Sequence, residues 1–285
     1  MSISLNRIYC YAVRACVRGL IQLTGRGGGK FAQLLPKGEI FLVQKYCHTL
    51  NFQVDTTYPM EATLWLAGVY DSQTTAFLQA VLQPGDIVLD VGANCGALTL
   101  VAASLVGSGG MVYAFEPSPT IRQRLQKNID LNAALQAQVR VLPLGLGATQ
   151  AQLLYYEDPN YPGNGALNPT QGEPVQVMAL DQWMQMADVT TLQFIKIDVE
   201  GMEYEVLLGA KETLTRFHPM LYFETLPIFF THKPYSVRSL YEFLIGLGYE
   251  IRSPEPPYAR VPLDGPYPVN SVAIHPHQVE RLPLS

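Results

Sequence analysis

Apolar and polar positions along this chain switch between two periods. Residues 87–91, 111–115, 139–144, 194–198 and 220–223 are short, nearly continuous apolar runs, the pattern of strands buried on both faces. Between them, apolar residues recur every three or four positions, as in helices. Phe77, Leu78 and Val81 form one such face, opened by Asp71 as helix cap and stopped at Pro84-Gly85. Leu98, Val101, Ala102 and Leu105 form a second, in a helix beginning near Ala97. Ile121 and Leu125 mark a third, with Ser118 as cap and Pro119 in the first turn. Val206, Leu207, Ala210 and Leu214 mark a fourth, expected to start at Gly201. Alternation of this kind predicts an α/β fold, a doubly wound and mostly parallel sheet. Residues 249–252 and 271–274 bring the predicted strands to seven.

The rhythm breaks elsewhere. Residues 3–23 predict a helix with Arg7, Arg14 and Arg18 on one stripe and Leu5, Tyr9, Ala12, Cys16, Leu20 and Leu23 opposite. Such a face suits either a peripheral membrane contact or packing on the rest of the chain with the arginines in water. The run GRGGGK, residues 25–30, reads as a linker. Strands are expected at 40–43 and 52–54, in a segment that covers a site entrance. Residues 151–156 and 174–178 predict a hairpin insertion, joined by a polar loop over 157–173 long enough to suggest a functional role. Short helices are expected over 180–186 and 235–247. EPPY, Glu255 to Tyr258, reads as part of a proline-rich turn.

Composition changes the picture modestly. The chain has 285 residues, 48% hydrophobic and 15% charged, with net charge -5, which argues against nucleic acid as a partner. Residues 1–38 hold six basic side chains and no acidic one, so the remainder is an acidic globule. Four scattered cysteines give no disulfide framework and point to a reducing cytoplasm, with the basic helix able to rest on the inner face of a membrane. No apolar run reaches the ~18–20 residues needed to span a bilayer.

Chemistry gathers at the strand ends. VLDVGANCG, Val88 to Gly96, runs from a buried strand through a glycine turn into a helix, a cradle for a small ligand. Acidic residues close three strands: Asp90, Glu116, and Asp198 with Glu200. Glu116, 20 residues beyond Gly96, is placed to accept ribose hydroxyls. The ligand is therefore a nucleoside derivative. A dinucleotide such as NAD wants G-x-G-x-x-G against its pyrophosphate, and here Asn94 stands in place of the middle glycine. Asp90 ahead of the turn suits the cationic amino group of S-adenosylmethionine better. An NAD-dependent oxidoreductase remains the weaker alternative.

With these motifs AFEPSP (114–119), KNIDLN (127–132), ALDQW (179–183), IKIDVEGME (195–203), HPMLYFE (218–224) and GLGYEI (246–251) the chain resembles the FkbM-type methyltransferases, colinearly over roughly residues 65–252. The resemblance implies a class I methyltransferase Rossmann-like fold and S-adenosylmethionine as donor. It implies O-methylation of a sugar, polyketide or other natural-product hydroxyl, and the acceptor expected here is small or lipid-linked. Carried over by motif, Asp90, Gly92, Ala93, Asn94 and Gly96 would cradle the donor's methionine end. Glu116 would hold the ribose, and Gly145 and Leu146 would lie near the adenine. Cys95 is expected to be a buried, non-catalytic thiol, and a donor contact from Asp71 is not expected. Residues 1–60 would form a basic helix and lid or connecting segment, and 61–285 the donor-binding catalytic domain.

An alcohol acceptor must lose its proton. Asp198 and Glu200 are the leading candidates for that work, with Glu224 behind them. Asp198 would lie near the methyl group and Glu200 would act as base, or instead cap the following helix. Glu203 and Glu205 are expected to be helix-surface charges. No metal site is predicted; a magnesium ion, if used, would sit at Asp198. His275-Pro-His277 lacks a neighbouring third ligand in sequence, and His232 reads as a surface residue. A donor-binding or membrane-peripheral scaffold without activity is the alternative that keeps the fold.

Overall fold

The computed structural model describes residues 4–24, 29–157, 165–168 and 170–282. Helix α1 (Leu5–Thr24) leads into a hairpin of β1 (Ile40–Tyr46) and β2 (Leu50–Asp55), then α2 (Pro59–Ala67) and α3 (Ser72–Val81). The alternating core follows: β3 (Ile87–Val91), α4 (Ala97–Val106), β4 (Met111–Phe115), α5 (Pro119–Asp130) and β5 (Val139–Leu142). Next come β6 (Gly145–Leu146), β7 (Ala151–Glu157), β8 (Gly165–Asn168), β9 (Glu173–Met178) and α6 (Leu180–Met186). The chain returns to the sheet with β10 (Phe194–Ile197), α7 (Glu203–Leu208), α8 (Lys211–Phe217) and β11 (Met220–Glu224). It finishes with α9 (Val237–Gly246), β12 (Glu250–Arg252) and β13 (Asn270–Ile274).

Seven strands form one sheet in the order β12-β13-β11-β10-β3-β4-β5. Pairing is parallel from β11 to β5 and antiparallel where β13 meets β11 and β12. This is the class I methyltransferase arrangement expected from the motifs. The order reverses between β3 and β10, where open α/β sheets leave a crevice at the strand C-termini. Successive strand residues point to opposite cores: Val88 and Phe194 toward α3 and α4, Leu89 and Ile195 toward the helices after β9. Asp71 caps α3 by accepting from the Thr74 N–H at 3.0 Å, and Ser118 caps α5 through the Ile121 N–H at 3.4 Å.

The insertion is larger than a hairpin. β6, β9, β7 and β8 make a second, four-stranded sheet. Gly145 and Leu146 leave the main sheet to pair in parallel with Val177 and Met178. Residues 158–164 and 169 of the expected functional loop lie outside the described residues, as do 25–28 of the glycine linker and the side chain of Leu23. The helix expected from Gly201 starts at Glu203 instead and is broken at Gly209. EPPY is a turn, as expected, with Tyr258 buried edge-on against Phe77.

The N-terminal helix forms where periodicity puts it, but faces the other way. Cys10 and Val17 are buried, whereas Leu5 is 84% exposed and Tyr9, Cys16 and Leu20 are also exposed. A different apolar stripe, Cys10, Val13, Val17 and Ile21, packs inward, and the arginines flank it, with Arg7 and Arg18 still exposed. Arg14 lies 4.6 Å over the Trp65 ring, Arg7 5.1 Å over Phe41, and Arg18 donates to the Leu66 carbonyl at 3.2 Å. Phe41 and Trp65 stack at 4.2 Å and give the guanidiniums a π surface that periodicity alone does not reveal. Among the described residues, no helix is long and apolar enough to cross a membrane.

Candidate active site

Val91 ends β3 and the chain turns at once. Gly92 has φ +78, and a Cβ there would come 1.9 Å from the carbonyl oxygen of Asp198. Only glycine lets the ends of β3 and β10 approach this closely. Asn94 takes the left-handed conformation at φ 50 and accepts from the Cys95 N–H at 2.7 Å, a local bond that offsets the strain. Gly96, also left-handed, would place a Cβ 2.4 Å from Leu125 Cδ1. It serves the approach of α5 to α4 and does not line the cavity expected of it. Cys95 is fully buried and its thiol pKa is pushed up by burial, in keeping with an inert side chain.

Gly92, Ala93 and Asn94 form one wall of a cavity of about 560 Å³. Glu116, Gly145, Leu146, Asp198, Glu200 and Glu224 line it as well, so most residues singled out by sequence meet here. Asp90 does not. It is buried behind the turn, where it accepts from Thr99 Oγ1 at 2.6 Å and pairs with Lys196 Nζ at 3.1 Å. The expected contact with a donor amino group is therefore replaced by a structural ion pair.

Lys196 organises this end of the sheet. Its Nζ also reaches Asp198 at 3.5 Å and donates to the Gly92 carbonyl at 3.1 Å. Burial pulls the ammonium pKa down, but Asp90 and Asp198 outweigh it and raise it. The signal was present in sequence as a lone charge within an apolar strand, FIKI. Tyr70, Tyr155 and Asn270 also line the cavity and carry no local signal in the sequence. Their neighbours are distant in sequence: Asn270 reaches the site only because β13 pairs it opposite Glu224.

Glu116 holds the turn from the side. Its two oxygens accept from the Asn94 and Ser118 N–H groups, each at 2.9 Å. Burial raises its pKa to about 7 against the pull of those N–H groups. Each oxygen keeps a lone pair for a ligand hydroxyl. Phe115, Pro117, Leu144 and Leu146 add an apolar wall beside it. The cavity volume, a carboxylate for ribose hydroxyls, an apolar slot for a base and an open backbone turn together fit S-adenosylmethionine.

Three carboxylates face the other side. Glu200 is in the left-handed region at φ 54, and burial followed by Asp198 raises its pKa to about 7. Glu224 is raised further, to about 9, by burial and then by Asp198, Glu200 and Glu203. Among the described residues its Oε2 is buried without a hydrogen-bond partner. A pKa raised this far favours the protonated form at neutral pH, which suits Glu224 to donate to a ligand oxygen and counts against the role of base considered for it. Glu203 is fully buried, contrary to its expected surface position. Its Oε1 accepts from the Val199 and Gly201 N–H groups at 3.0 and 3.3 Å. Glu203 thus ties the turn ahead of α7, whose N-cap residue is Met202 with no side-chain cap bond, and Glu200 faces the cavity instead of capping the helix. No cluster of three metal-ligating groups forms around Asp198 among the described residues. Magnesium there would rest on one or two carboxylates.

A sequence profile of the methyltransferase FkbM domain matches residues 90–251. The chain is 29% identical over 132 residues to the hexuronic acid methyltransferase AglP of Haloferax volcanii, covering 45% of this chain and 52% of that protein. It is 30% identical over 161 residues to the 31-O-demethyl-FK506 methyltransferase FkbM of Streptomyces tacrolimicus, covering 46% and 62%. The solved structure of methyltransferase FkbM from Methylobacillus flagellatus aligns with a TM-score of 0.43 at 17% identity, over 76% of this chain and 54% of that one. The chain thus spans about half to two thirds of the length of these curated relatives. The profile covers more than half of the sequence and includes the turn after β3, Glu116 and the Asp198–Glu203 segment, and by that match the chain belongs to the FkbM family of methyltransferases.

Proposed function

We propose that this protein methylates a hydroxyl group on a neutral, small or lipid-linked acceptor, such as a sugar or polyketide, with S-adenosylmethionine as donor. The observation that carries the reading is Glu200: a cavity carboxylate at the end of β10 with a pKa of about 7. When bound, the donor supplies a methyl group already activated on sulfur. The Gly92–Asn94 turn, Glu116, Gly145 and Leu146 hold it, and Asp198 stands at the methyl end. Glu200 takes the proton from the acceptor hydroxyl, its pKa matched to neutral operation. Protonated Glu224 donates to a neighbouring acceptor oxygen. Tyr155, its pKa raised by burial and then by Glu116, stays a donor too.

The charge of the cavity favours a neutral acceptor. Lys196 is the one basic residue lining it among the described residues, and Asp90 and Asp198 already engage it. An acceptor carboxylate, as in the hexuronic acid named for one relative, would face Glu200 with no cation to meet it. Met202, Leu226 and Phe229 add an apolar patch for a chain or ring carried by the acceptor.

Titration calorimetry should show S-adenosylhomocysteine binding, reduced at least ~tenfold by Glu116→Ala. With labelled donor and a panel of neutral and uronic glycosides, label should enter neutral hydroxyls. Glu200→Gln should cut kcat by about 10²–10⁴-fold while product binding is kept. Wild-type protein that binds no S-adenosylhomocysteine ends the proposal, and a fully active Glu200→Gln removes the base.

A second reading adds a membrane surface. Leu5, Ile8, Tyr9 and Leu20 are exposed along α1, which favours peripheral contact with lipid. Flotation with anionic vesicles tests it: wild type should float and Leu5→Ser/Tyr9→Ser should not. Wild type remaining at the bottom of the gradient removes the membrane role.

A further inference from the structure

We propose that His218, His275 and His277 form a binding site for a divalent transition metal of the zinc class, which clamps the C-terminal segment to the sheet. In sequence, His275-Pro-His277 is a pair without a third partner. The fold supplies one. β11 and β13 are antiparallel, with Leu221 opposite Ala273, so the residue two before β11 meets the residue just after β13. His218 and His275 lie face to face with ring centroids 3.9 Å apart. His277 stands 5.0 Å from one and 4.8 Å from the other. One ring nitrogen from each of the three falls within 4.8 Å of the others.

Local structure holds the rings in place. His218 takes the left-handed conformation at φ 46, ending α8, with its N–H donating to the Leu214 carbonyl at 3.1 Å. Gly248 leaves the space that His275 fills: a Cβ there would lie 3.0 Å from Nε2. The Nδ1 of His275 meets the His277 N–H at 3.5 Å, long enough to yield to a stronger partner.

Three imidazole ligands select zinc, copper or nickel over magnesium or calcium. A tetrahedral zinc site wants ligand nitrogens roughly 3.3 Å apart, from bonds of about 2.05 Å. The stacked pair must therefore splay and His277, which is exposed, must swing in. Water would complete the fourth position. The segment Pro276–Arg281 is already tied at its far end, where Arg281 pairs with buried Asp86. Metal on His275 and His277 would fix its near end. The trio lies where β11 begins, whereas the acidic cavity lies where β11 ends, so the clamp is separate from the transfer chemistry.

The test uses full-length, chelator-treated protein with zinc chloride, nickel chloride and magnesium chloride. Calorimetry should show one equivalent of zinc bound, and thermal melts should shift upward by several degrees with zinc or nickel and not with magnesium. His277→Gln, an exposed change that the fold tolerates, should weaken zinc binding at least ~tenfold. A His218→Asn/His275→Gln/His277→Gln variant, its fold confirmed by circular dichroism, should lose the site. Wild type without stoichiometric zinc binding overturns the proposal. So does a triple variant that binds zinc as wild type does, which would place the metal on other side chains.

Discussion

The turn after β3 and helix α1 are both visible in the sequence as patterns, yet only one pattern states its own orientation. At the turn, Gly92 and Asn94 both take the left-handed conformation, which their residue types announce in sequence. Gly92 has no room for a Cβ beside Asp198, and Asn94 bonds its own chain neighbour. Helix α1 has a period but no such constraint. Its exposed face carries Leu5, Tyr9 and Leu20, and its arginines cover Phe41 and Trp65. Periodicity locates a helix; what the helix packs on decides which face is inside. Here Cys10, Val13, Val17 and Ile21 go inside, and the guanidinium groups beside them lie on the rings of Phe41 and Trp65.

The comparison breaks most visibly at Gly92. Gly92→Ala adds a Cβ 1.9 Å from a carbonyl oxygen at a left-handed residue. The expected cost is more than about 4 kcal/mol, at the top of the range for one substitution. Urea unfolding should record it, along with loss of S-adenosylhomocysteine binding. A well-folded variant that binds normally would mean the turn is less constrained than its geometry says.

Lys196→Met comes next. It leaves Asp90 buried without its cation and the Gly92 carbonyl without a donor. Removing one partner of a buried pair costs about 3–4 kcal/mol. The double change Lys196→Met/Asp90→Leu should recover a large part of this in denaturant melts. No recovery would show that Lys196 acts through Asp198 instead.

These two residues also mark how much could be read beforehand. The sheet, Glu116 and the Asp198–Glu200 pair were legible because each lies at the end of a periodic run, close in sequence to the glycine or strand that positions it. Asp90 was misplaced because its partner, Lys196, lies 106 residues away on β10 and is joined by strand pairing alone. Glu203 reads in sequence as a helix-surface charge because nothing local marks the turn that it ties ahead of α7. Tyr155 sits on an inserted sheet, and His218 meets His275 only through antiparallel pairing. Local chemistry is written in order along the chain; contacts between elements are not.

Glu203 gives a smaller, pH-dependent effect in the same region. Burial raises its folded pKa to about 7 from 4.5. A carboxyl raised in this way contributes stability fully below pH 4.5 and loses it as pH rises through about 7. Glu203→Gln keeps an oxygen for the Val199 and Gly201 N–H groups and removes the titration. The gap between the wild-type and variant stability curves should therefore change by on the order of 2 kcal/mol between pH 4.5 and 8. Parallel curves over that range would mean that Glu203 stays ionised in the folded protein.

The smallest effects test α1 itself, through two substitutions on opposite faces. Arg18 donates to the Leu66 carbonyl in the last turn of α2, where a cation also meets the negative end of the helix. Arg18→Ala removes that bond and the cover over Gly68, at an expected cost of about 1 kcal/mol. Leu5 is 84% exposed, so Leu5→Ser should change stability by less than about 0.5 kcal/mol. A sequence reading with the apolar stripe inward predicts the reverse order. Denaturant midpoints of the two variants, measured without lipid, separate the cases. If Leu5→Ser costs more than Arg18→Ala, the helix packs in solution by the Leu5 stripe and not by the Cys10 and Val17 face that Arg18 flanks.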